Sequence, residues 1–170
     1  MIGLVLGGVR SGKSVYAENW IQQYSAPWIY LATGRAWDEE MQNRIAKHQE
    51  RRDHQWETIE EPLDLVSILS KTQQKPVLID CLTLWVTNLL MEEQNVDLAV
   101  NRLADSLHKH MAPVIMVSSE VGLGIVPVNP LARQFCGHMG MVNQKLATIS
   151  DKVTFIIAGL PMILKDSNKI

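Results

Sequence analysis

The chain alternates short apolar runs with longer segments that carry apolar residues at helical spacing. The apolar runs predict five strands, at 1–6, 27–32, 76–80, 113–118 and 153–158. The segments between them predict six helices, at 13–24, 38–53, 62–71, 82–93, 97–111 and 129–149. Strands that are apolar throughout and separated by helices are typical of a mostly parallel sheet covered on both faces. The pattern therefore predicts an α/β fold.

Length and composition favour one domain that spans residues 1–170. With 170 residues, of which 46% are hydrophobic, the chain can bury one substantial core and has little material for a second. The formal net charge is −2, so there is no broad basic surface for nucleic acid. We therefore expect a small-molecule substrate and no nucleic-acid partner.

Cysteine usage and hydropathy indicate a cytoplasmic protein. The chain has only two cysteines, no charged-then-apolar leader, and no apolar stretch of the roughly 18–20 residues that a membrane span needs. We expect reduced thiols and no membrane span. Cys81 directly follows an apolar strand, where a small packing residue is the simplest interpretation.

Residues 7–14 match the complete pattern G-x-x-x-x-G-K-[ST] of a phosphate-binding loop. An apolar strand precedes the motif and a helical pattern follows it, as a loop that wraps a polyphosphate requires. Lys13 is expected to reach the β- and γ-phosphates, and Ser14 to hold Mg²⁺. The predicted nucleotide-binding residues of this loop are Gly7, Gly8, Val9, Arg10, Ser11, Gly12, Lys13 and Ser14.

Polar residues follow the predicted strands, and in open α/β sheets ligands bind beyond the carboxyl ends of the strands. Asp80 ends an apolar strand that is expected beside the phosphate loop, where its carboxylate would reach the Mg²⁺ held by Ser14. A cap of the strand end is the alternative. Glu120 either contacts Mg²⁺, orients a nucleophile or is solvated. The other residues at these positions are Thr33, Gly34, Arg35, Ser119 and Gly159.

The predicted helix 38–53 carries a histidine among arginines. At 3.6 residues per turn, Arg44, His48 and Arg52 share one face, and Arg51 adjoins His48. Neighbouring guanidinium groups disfavour a charged imidazole, so His48 would stay neutral and nucleophilic while the arginines attract phosphate oxygens. A solvated, charge-patterned helix is the alternative.

Several blocks of this sequence resemble one enzyme family over nearly the whole chain. That family is adenosylcobinamide kinase/adenosylcobinamide-phosphate guanylyltransferase. The blocks are, in chain order, Gly7 to Ser14, Arg44-Ile45 through His48, Trp56 to Pro62, Thr87 to Leu90, Glu120 to Pro127, and Val142-Asn143-Gln144.

The resemblance implies a bifunctional enzyme of cobalamin biosynthesis with a P-loop NTPase, RecA-like fold. Such an enzyme phosphorylates adenosylcobinamide with a nucleoside triphosphate, GTP or ATP, and then transfers GMP from GTP to the product through a guanylylated histidine. The matching histidine is His48, so His48 and Lys13 are the expected catalytic residues. A homotrimer is implied as well. The further implied nucleotide contacts are Thr33, Gly34, Arg35, Gln49, Glu50, Arg51, Arg52, Glu60 and Asp80.

Two alternatives concern residues near His48 in the sequence, and two concern the function. Lys47 can also form a nucleotidyl phosphoramidate, although the Lys-x-Asp-Gly signature of lysine nucleotidyltransferases is absent. His54, near Trp56, either packs or binds nucleotide. A plain P-loop kinase would need the same phosphate loop without the histidine. A regulatory GTPase would normally carry an Asn-Lys-x-Asp motif, which this sequence lacks.

Overall fold

The computed structural model describes residues 1–35 and 54–167, so the predicted helix 38–53 lies outside the described residues. Within these ranges the chain forms seven strands and five helices. The strands are β1 (Ile2–Gly7), β2 (Trp28–Ala32), β3 (Trp56–Glu60), β4 (Val77–Asp80), β5 (Val114–Ser119), β6 (Lys152–Ile157) and β7 (Leu160–Asp166). The helices are α1 (Lys13–Ile21), α2 (Leu65–Lys71), α3 (Leu82–Met91), α4 (Val96–Lys109) and α5 (Pro130–Ile149).

The seven strands form one sheet in the order β3-β2-β4-β5-β1-β6-β7. All neighbouring pairs are parallel except β6 and β7, which pair antiparallel at one edge. The mostly parallel α/β sheet predicted from the sequence is therefore confirmed. The five predicted strands lie within one residue of the observed ones, and the described helices lie within three.

Helices cover both faces of the sheet. On one face α1 packs Ala17, Trp20 and Ile21 against the strands, and a Cβ on Gly3 would lie 2.5 Å from the Trp20 ring. On the other face α2 to α5 bury apolar side chains that include Trp85 and Leu103. This burial explains why the central strands are apolar throughout. None of the helices in residues 1–35 and 54–167 is long and apolar enough to cross a membrane.

Two strands and one neighbour relationship differ from the sequence expectation. Strands β3 and β7 were not predicted, because both lie at edges of the sheet and most of their residues are exposed. The Asp80 strand, which was expected beside the phosphate loop, is not a direct neighbour of β1, because β5 lies between β4 and β1. The strand that borders the loop on this side is the one that ends at Ser119.

Candidate nucleotide-binding site

The phosphate loop connects the end of β1 at Gly7 to the start of α1 at Lys13. Gly7 has φ 151°, and a Cβ there would lie 2.5 Å from the carbonyl oxygen of Ile156. Gly12 has φ 99° and caps α1 with no side-chain hydrogen bond. Arg10 also has a positive φ, of 55°, which is uncommon outside glycine and is often found at functional sites. The glycines of the motif are therefore required by the backbone path of the loop.

The side chain of Lys13 folds back over the phosphate loop. Its Nζ donates a hydrogen bond to the carbonyl oxygen of Gly8 at 2.5 Å. Ser14 is half-buried in the first turn of α1. The amide groups of such a first turn point out of the helix and favour a negatively charged ligand. The loop therefore combines a lysine, a hydroxyl and backbone donors around the helix start.

Backbone hydrogen bonds hold the phosphate loop from the strands on either side. On the β5 side, the amide of Glu120 donates to the carbonyl oxygen of Gly7 at 3.1 Å. On the β6 side, the amide of Gly159 donates to the carbonyl oxygen of Ser11 at 2.9 Å. The loop conformation is therefore fixed by residues from the second half of the chain.

Asp80, Glu60 and the segment after β2 lie at the same edge of the sheet as the loop. Ala32 is in register with Glu60 on one side and with Asp80 on the other. Asp80 is in register with Val117 on β5, and Val117 with Val5 on β1. Because these strands run parallel, their carboxyl ends bring Glu60, Asp80 and the phosphate loop to one edge. The register places Asp80 at the same edge as the phosphate loop, and the roles of Glu60 and Asp80 in binding nucleotide stay predictions.

Tyr30 orients the Asp80 carboxylate from the neighbouring strand. Its hydroxyl donates to Asp80 Oδ2 at 2.9 Å, and its ring is buried beside that of Trp56 at 6.2 Å between centroids. Sequence reasoning did not single out Tyr30. The only signal was a hydroxyl-bearing residue within an apolar strand, and its partner is 50 positions away.

Thr33 ties the end of β2 to the residue after β4. Its hydroxyl donates to the carbonyl oxygen of Cys81 at 2.7 Å and accepts from the Cys81 amide at 2.9 Å. Asn88 of α3 donates to the carbonyl oxygens of Thr33 at 2.8 Å and Pro62 at 3.1 Å. Thr33 is completely buried, so its side chain is engaged within the protein.

The remaining predicted residues are distributed around this edge. Arg35 forms an ion pair with Glu92 at 2.6 Å, and Glu60 is exposed. Glu120 accepts a hydrogen bond from the amide of Gly122 at 2.6 Å, which turns its carboxylate toward its own loop. His48 and its neighbours Arg44, Lys47, Gln49, Glu50, Arg51 and Arg52 lie outside the described residues.

The environment of Asp80 also affects Cys81. Burial raises the pKa of the Cys81 thiol to about 11, and the negative charge of Asp80 contributes to the rise. Such a thiol stays protonated at neutral pH and is a poor nucleophile. The interpretation of Cys81 as a packing residue agrees with this environment.

The residues at the edge suit a magnesium ion that also binds phosphate. Ser14 and Asp80 offer hydroxyl and carboxylate oxygens, the ligand types that Mg²⁺ prefers, and Mg²⁺ commonly takes its other ligands from phosphates and water. Among residues 1–35 and 54–167 no group of three histidine, cysteine or acidic side chains is arranged to hold a metal.

Comparisons with known proteins point to one family. A family model described as "Cobinamide kinase / cobinamide phosphate guanyltransferase" matches residues 3–164. The chain is 43% identical to the bifunctional adenosylcobalamin biosynthesis protein CobP of Pseudomonas aeruginosa, over 97% of this chain and 98% of that protein. It is 35% identical to CobU of Escherichia coli, which carries the same description, over 97% of this chain and the whole of that protein.

Solved structures that resemble this one share its fold at low sequence identity. A KaiC-like protein from Pyrococcus horikoshii has a TM-score of 0.54 at 14% identity, over 91% of this chain and 69% of that one. The P4 protein from bacteriophage phi6, in complex with ADP, has a TM-score of 0.52 at 14% identity, over 94% of this chain and 52% of that one. These similarities support a P-loop NTPase fold and carry no information on substrate.

Proposed function

This chain belongs to the cobinamide kinase/cobinamide phosphate guanyltransferase family of bifunctional enzymes, and from that we propose the two reactions that it catalyses. It phosphorylates adenosylcobinamide with a nucleoside triphosphate, ATP or GTP. It then transfers GMP from GTP to adenosylcobinamide phosphate, which gives adenosylcobinamide-GDP and pyrophosphate. The observation that carries the proposal is the phosphate loop, whose glycines take the required left-handed conformations in a chain that matches the family over residues 3–164.

The kinase step uses the phosphate loop. The triphosphate lies on the backbone amides of residues 8–14, and Lys13 exchanges its contact with Gly8 for phosphate oxygens. Ser14 and Asp80 would hold Mg²⁺, which would supply positive charge beside the phosphates. The acceptor hydroxyl then attacks the γ-phosphorus and loses its proton to solvent, the bond to the β-phosphate oxygen breaks, and the nucleoside diphosphate leaves.

The transfer step uses His48 as a nucleophile. Its neutral imidazole attacks the α-phosphorus of GTP, a nitrogen–phosphorus bond forms, and pyrophosphate leaves. The phosphate of the acceptor then attacks the same phosphorus and releases the imidazole. Support comes from the sequence, where Arg44, Arg51 and Arg52 surround His48 at helical spacing, and from membership of the family.

Further nucleotide contacts are part of the proposal. The carboxyl edge of the sheet carries Gly34, Arg35 and Glu60, and the sequence predicts Gln49, Glu50, Arg51 and Arg52 beside His48. Thr33 supports this edge from within the fold, because its side chain is engaged by Cys81, its amide by Asp80 and its carbonyl by Asn88. Truncation of Arg51 or Arg52 should raise the Kd for GTP, whereas the rate of ATP-dependent phosphorylation should change less.

A radiolabel experiment tests the two reactions together. The protein is incubated with Mg²⁺ and GTP labelled at the α-phosphate, and both pyrophosphate and protein-bound label are measured. A phosphoramidate of histidine predicts label that is acid-labile and base-stable. A second reaction with γ-labelled ATP and adenosylcobinamide measures the kinase step. Kinase activity without protein labelling would identify a plain kinase, and the absence of both reactions would refute the proposed function.

Assembly and location are proposed as well. We expect a homotrimer in the cytoplasm, with the two cysteines as thiols. Strand β7 forms one edge of the sheet, and its apolar residues Leu160, Met162 and Leu164 are at least half exposed, which is unusual for a monomer. Light scattering measures the mass. Replacement of Leu160 and Met162 by serine should lower it toward that of one chain.

A further inference from the structure

The loop between β5 and α5 presents aliphatic side chains to solvent. The exposed fractions are 82% for Leu123, 98% for Ile125, 73% for Val126 and 94% for Val128. Isolated exposed apolar residues are common, but a contiguous group of them marks a surface that binds something. We refer to Leu123, Ile125, Val126 and Val128 as the aliphatic loop.

The backbone of the aliphatic loop is held at both ends. At its start, Glu120 accepts from the amide of Gly122 at 2.6 Å, and the thiol of Cys136 donates to the carbonyl oxygen of Val121 at 3.7 Å. At its end, Arg133 donates to the carbonyl oxygens of Pro127 at 3.0 Å and Val128 at 2.5 Å. The side chains are therefore presented on an anchored backbone, which lowers the entropy that is lost when a ligand binds.

The aliphatic loop directly continues the phosphate site. The last residue of β5, Ser119, is in register with Gly7, and the amide of Glu120 bonds to the Gly7 carbonyl at 3.1 Å. The phosphate loop adds one more exposed aliphatic side chain, that of Val9, which is 82% exposed. A ligand on this surface therefore lies beside the nucleotide phosphates.

We propose that the aliphatic loop binds the corrin macrocycle of the acceptor substrate. This inference rests on the proposed function, because that function supplies a corrinoid acceptor. A corrin is a broad ring that carries methyl groups between its peripheral amide side chains, so aliphatic side chains complement the methyl-bearing parts of its faces. A nucleotide base would instead need donors and acceptors, which these four side chains lack.

The position of the surface favours the acceptor over a second copy of the chain. A copy seated on the aliphatic loop would cover the approach to the phosphate loop, where the acceptor must place its hydroxyl in the kinase step. The same corrin enters both reactions, first as the alcohol and then as the phosphate ester. One binding surface therefore serves both steps.

A double variant, Leu123→Ser with Ile125→Ser, tests this inference. Both side chains are exposed, so the fold should tolerate the changes. We expect the KM for adenosylcobinamide and the KM for its phosphate each to rise by about tenfold or more, as the loss of several apolar contacts does in other sites. The kcat values at saturation and the Kd values for ATP and GTP should stay unchanged. Met111→Ser is the control, because Met111 is 71% exposed and precedes β5 at the opposite edge of the sheet.

Direct binding of adenosylcobinamide, followed by the visible absorbance of the corrin, separates this inference from the proposed function. If the wild-type protein binds the corrin and the double variant does not, the inference is supported even if the wild-type protein shows no turnover. Unchanged corrin affinity in the double variant overturns the inference while turnover by the wild-type protein upholds the function. If the double variant lost nucleotide affinity as much as corrin affinity, the surface would be assigned to the nucleotide. If its oligomeric mass changed, the surface would be assigned to a second copy of the chain. Either result would also overturn the inference. If the wild-type protein binds no corrin, both proposals fall.

Discussion

The hydroxyl of Tyr30 donates a hydrogen bond to Asp80 Oδ2 at 2.9 Å, from one strand to the next. Tyr30 is buried and packs beside Trp56, so its hydroxyl has a fixed position. The carboxylate of Asp80 is therefore held at the carboxyl edge of the sheet before any ligand arrives. A preorganised carboxylate lowers the cost of binding a metal ion.

The first prediction concerns this pair. Tyr30→Phe removes the hydrogen bond and keeps the ring, so the Mg²⁺ concentration for half-maximal kinase rate should rise by about two- to tenfold, the worth of one hydrogen bond. Asp80→Asn removes the charge and should raise it further. The measurement is a Mg²⁺ titration at saturating ATP, together with direct titration of Mn²⁺ by electron paramagnetic resonance. Identical metal titrations for Asp80→Asn and wild type would assign Asp80 to capping the strand end.

The second prediction concerns Lys13. Lys13→Ala removes the charge expected on the β- and γ-phosphates, so both reactions should slow by on the order of a hundredfold or more. The fold should persist, and circular dichroism checks this. Lys71→Ala is the control, since Lys71 is exposed at the end of α2. Near-normal rates for Lys13→Ala in both assays would refute the assignment of the phosphate loop.

The third prediction separates the two activities at His48. His48→Asn should abolish protein labelling by GTP and guanylyl transfer while substantial phosphorylation of adenosylcobinamide remains, because only the transfer step needs a covalent intermediate. Lys47→Arg and His54→Asn are the controls, and both should retain all activities. Peptide mass spectrometry of the trapped enzyme locates the adduct. Label on Lys47 or His54, or label retained in His48→Asn, would contradict the assignment.

The fourth prediction concerns the stability of the site. Asn88→Leu leaves the carbonyl oxygens of Thr33 and Pro62 without their donor, and an unsatisfied buried polar group costs about 1–3 kcal/mol. The free energy of unfolding should fall by at least that amount in urea titrations. Gln94→Leu, at an exposed position just beyond α3, should change it by less than about 0.5 kcal/mol. Equal stability of the two variants would show that the Asn88 bonds contribute nothing.

The fifth prediction follows from the pKa of Cys81, which is raised from 9.0 to about 11. Because the thiolate is the reactive form, alkylation of native Cys81 at pH 8 should be about a hundredfold slower than in the unfolded chain. As the pH rises, the Cys81 thiol ionises at a lower pH in the unfolded chain than in the folded protein. Ionisation of Cys81 therefore lowers the free energy of unfolding between pH 9.0 and about 11. A Cys136→Ser background isolates the signal. Fast alkylation of folded protein at pH 8 would contradict the raised pKa.

The buried strands could be predicted from the sequence, whereas the edge strands could not. Strands β1, β2, β4 and β5 are covered by helices, so their residues form continuous apolar runs that stand out. In β3 most side chains are exposed, and the polar residues Glu57, Thr58 and Glu60 interrupt the apolar pattern by which a strand is predicted. The apolar run of β7 follows β6 after only two residues, and with no helix between them it was not recognised as a separate strand.

Site residues that belong to one local sequence motif could be predicted from the sequence. The phosphate loop needs only eight consecutive residues, so its glycines and lysine were found from spacing alone. The partners of Asp80 and Thr33 could not be found in this way, since Tyr30 and Asn88 reach them from other elements. The position of β5 between β4 and β1 is also set by the crossovers of the chain, which spacing does not encode.

Strands β5 and β6 flank β1 in the sheet, and this arrangement has a consequence for the synthesis of the protein on the ribosome. Residues 7–14 are made among the first, but the strands that frame them begin at Val114 and Lys152. Contacts between residues so far apart in sequence form late, after long loops of chain have closed. A nascent chain that has not reached β6 lacks the Ile156 carbonyl against which Gly7 lies, and the Gly159 amide that bonds to Ser11. We therefore expect a chain that ends before β6 to lack the framed phosphate loop, and so to bind nucleotide only after its synthesis is nearly finished.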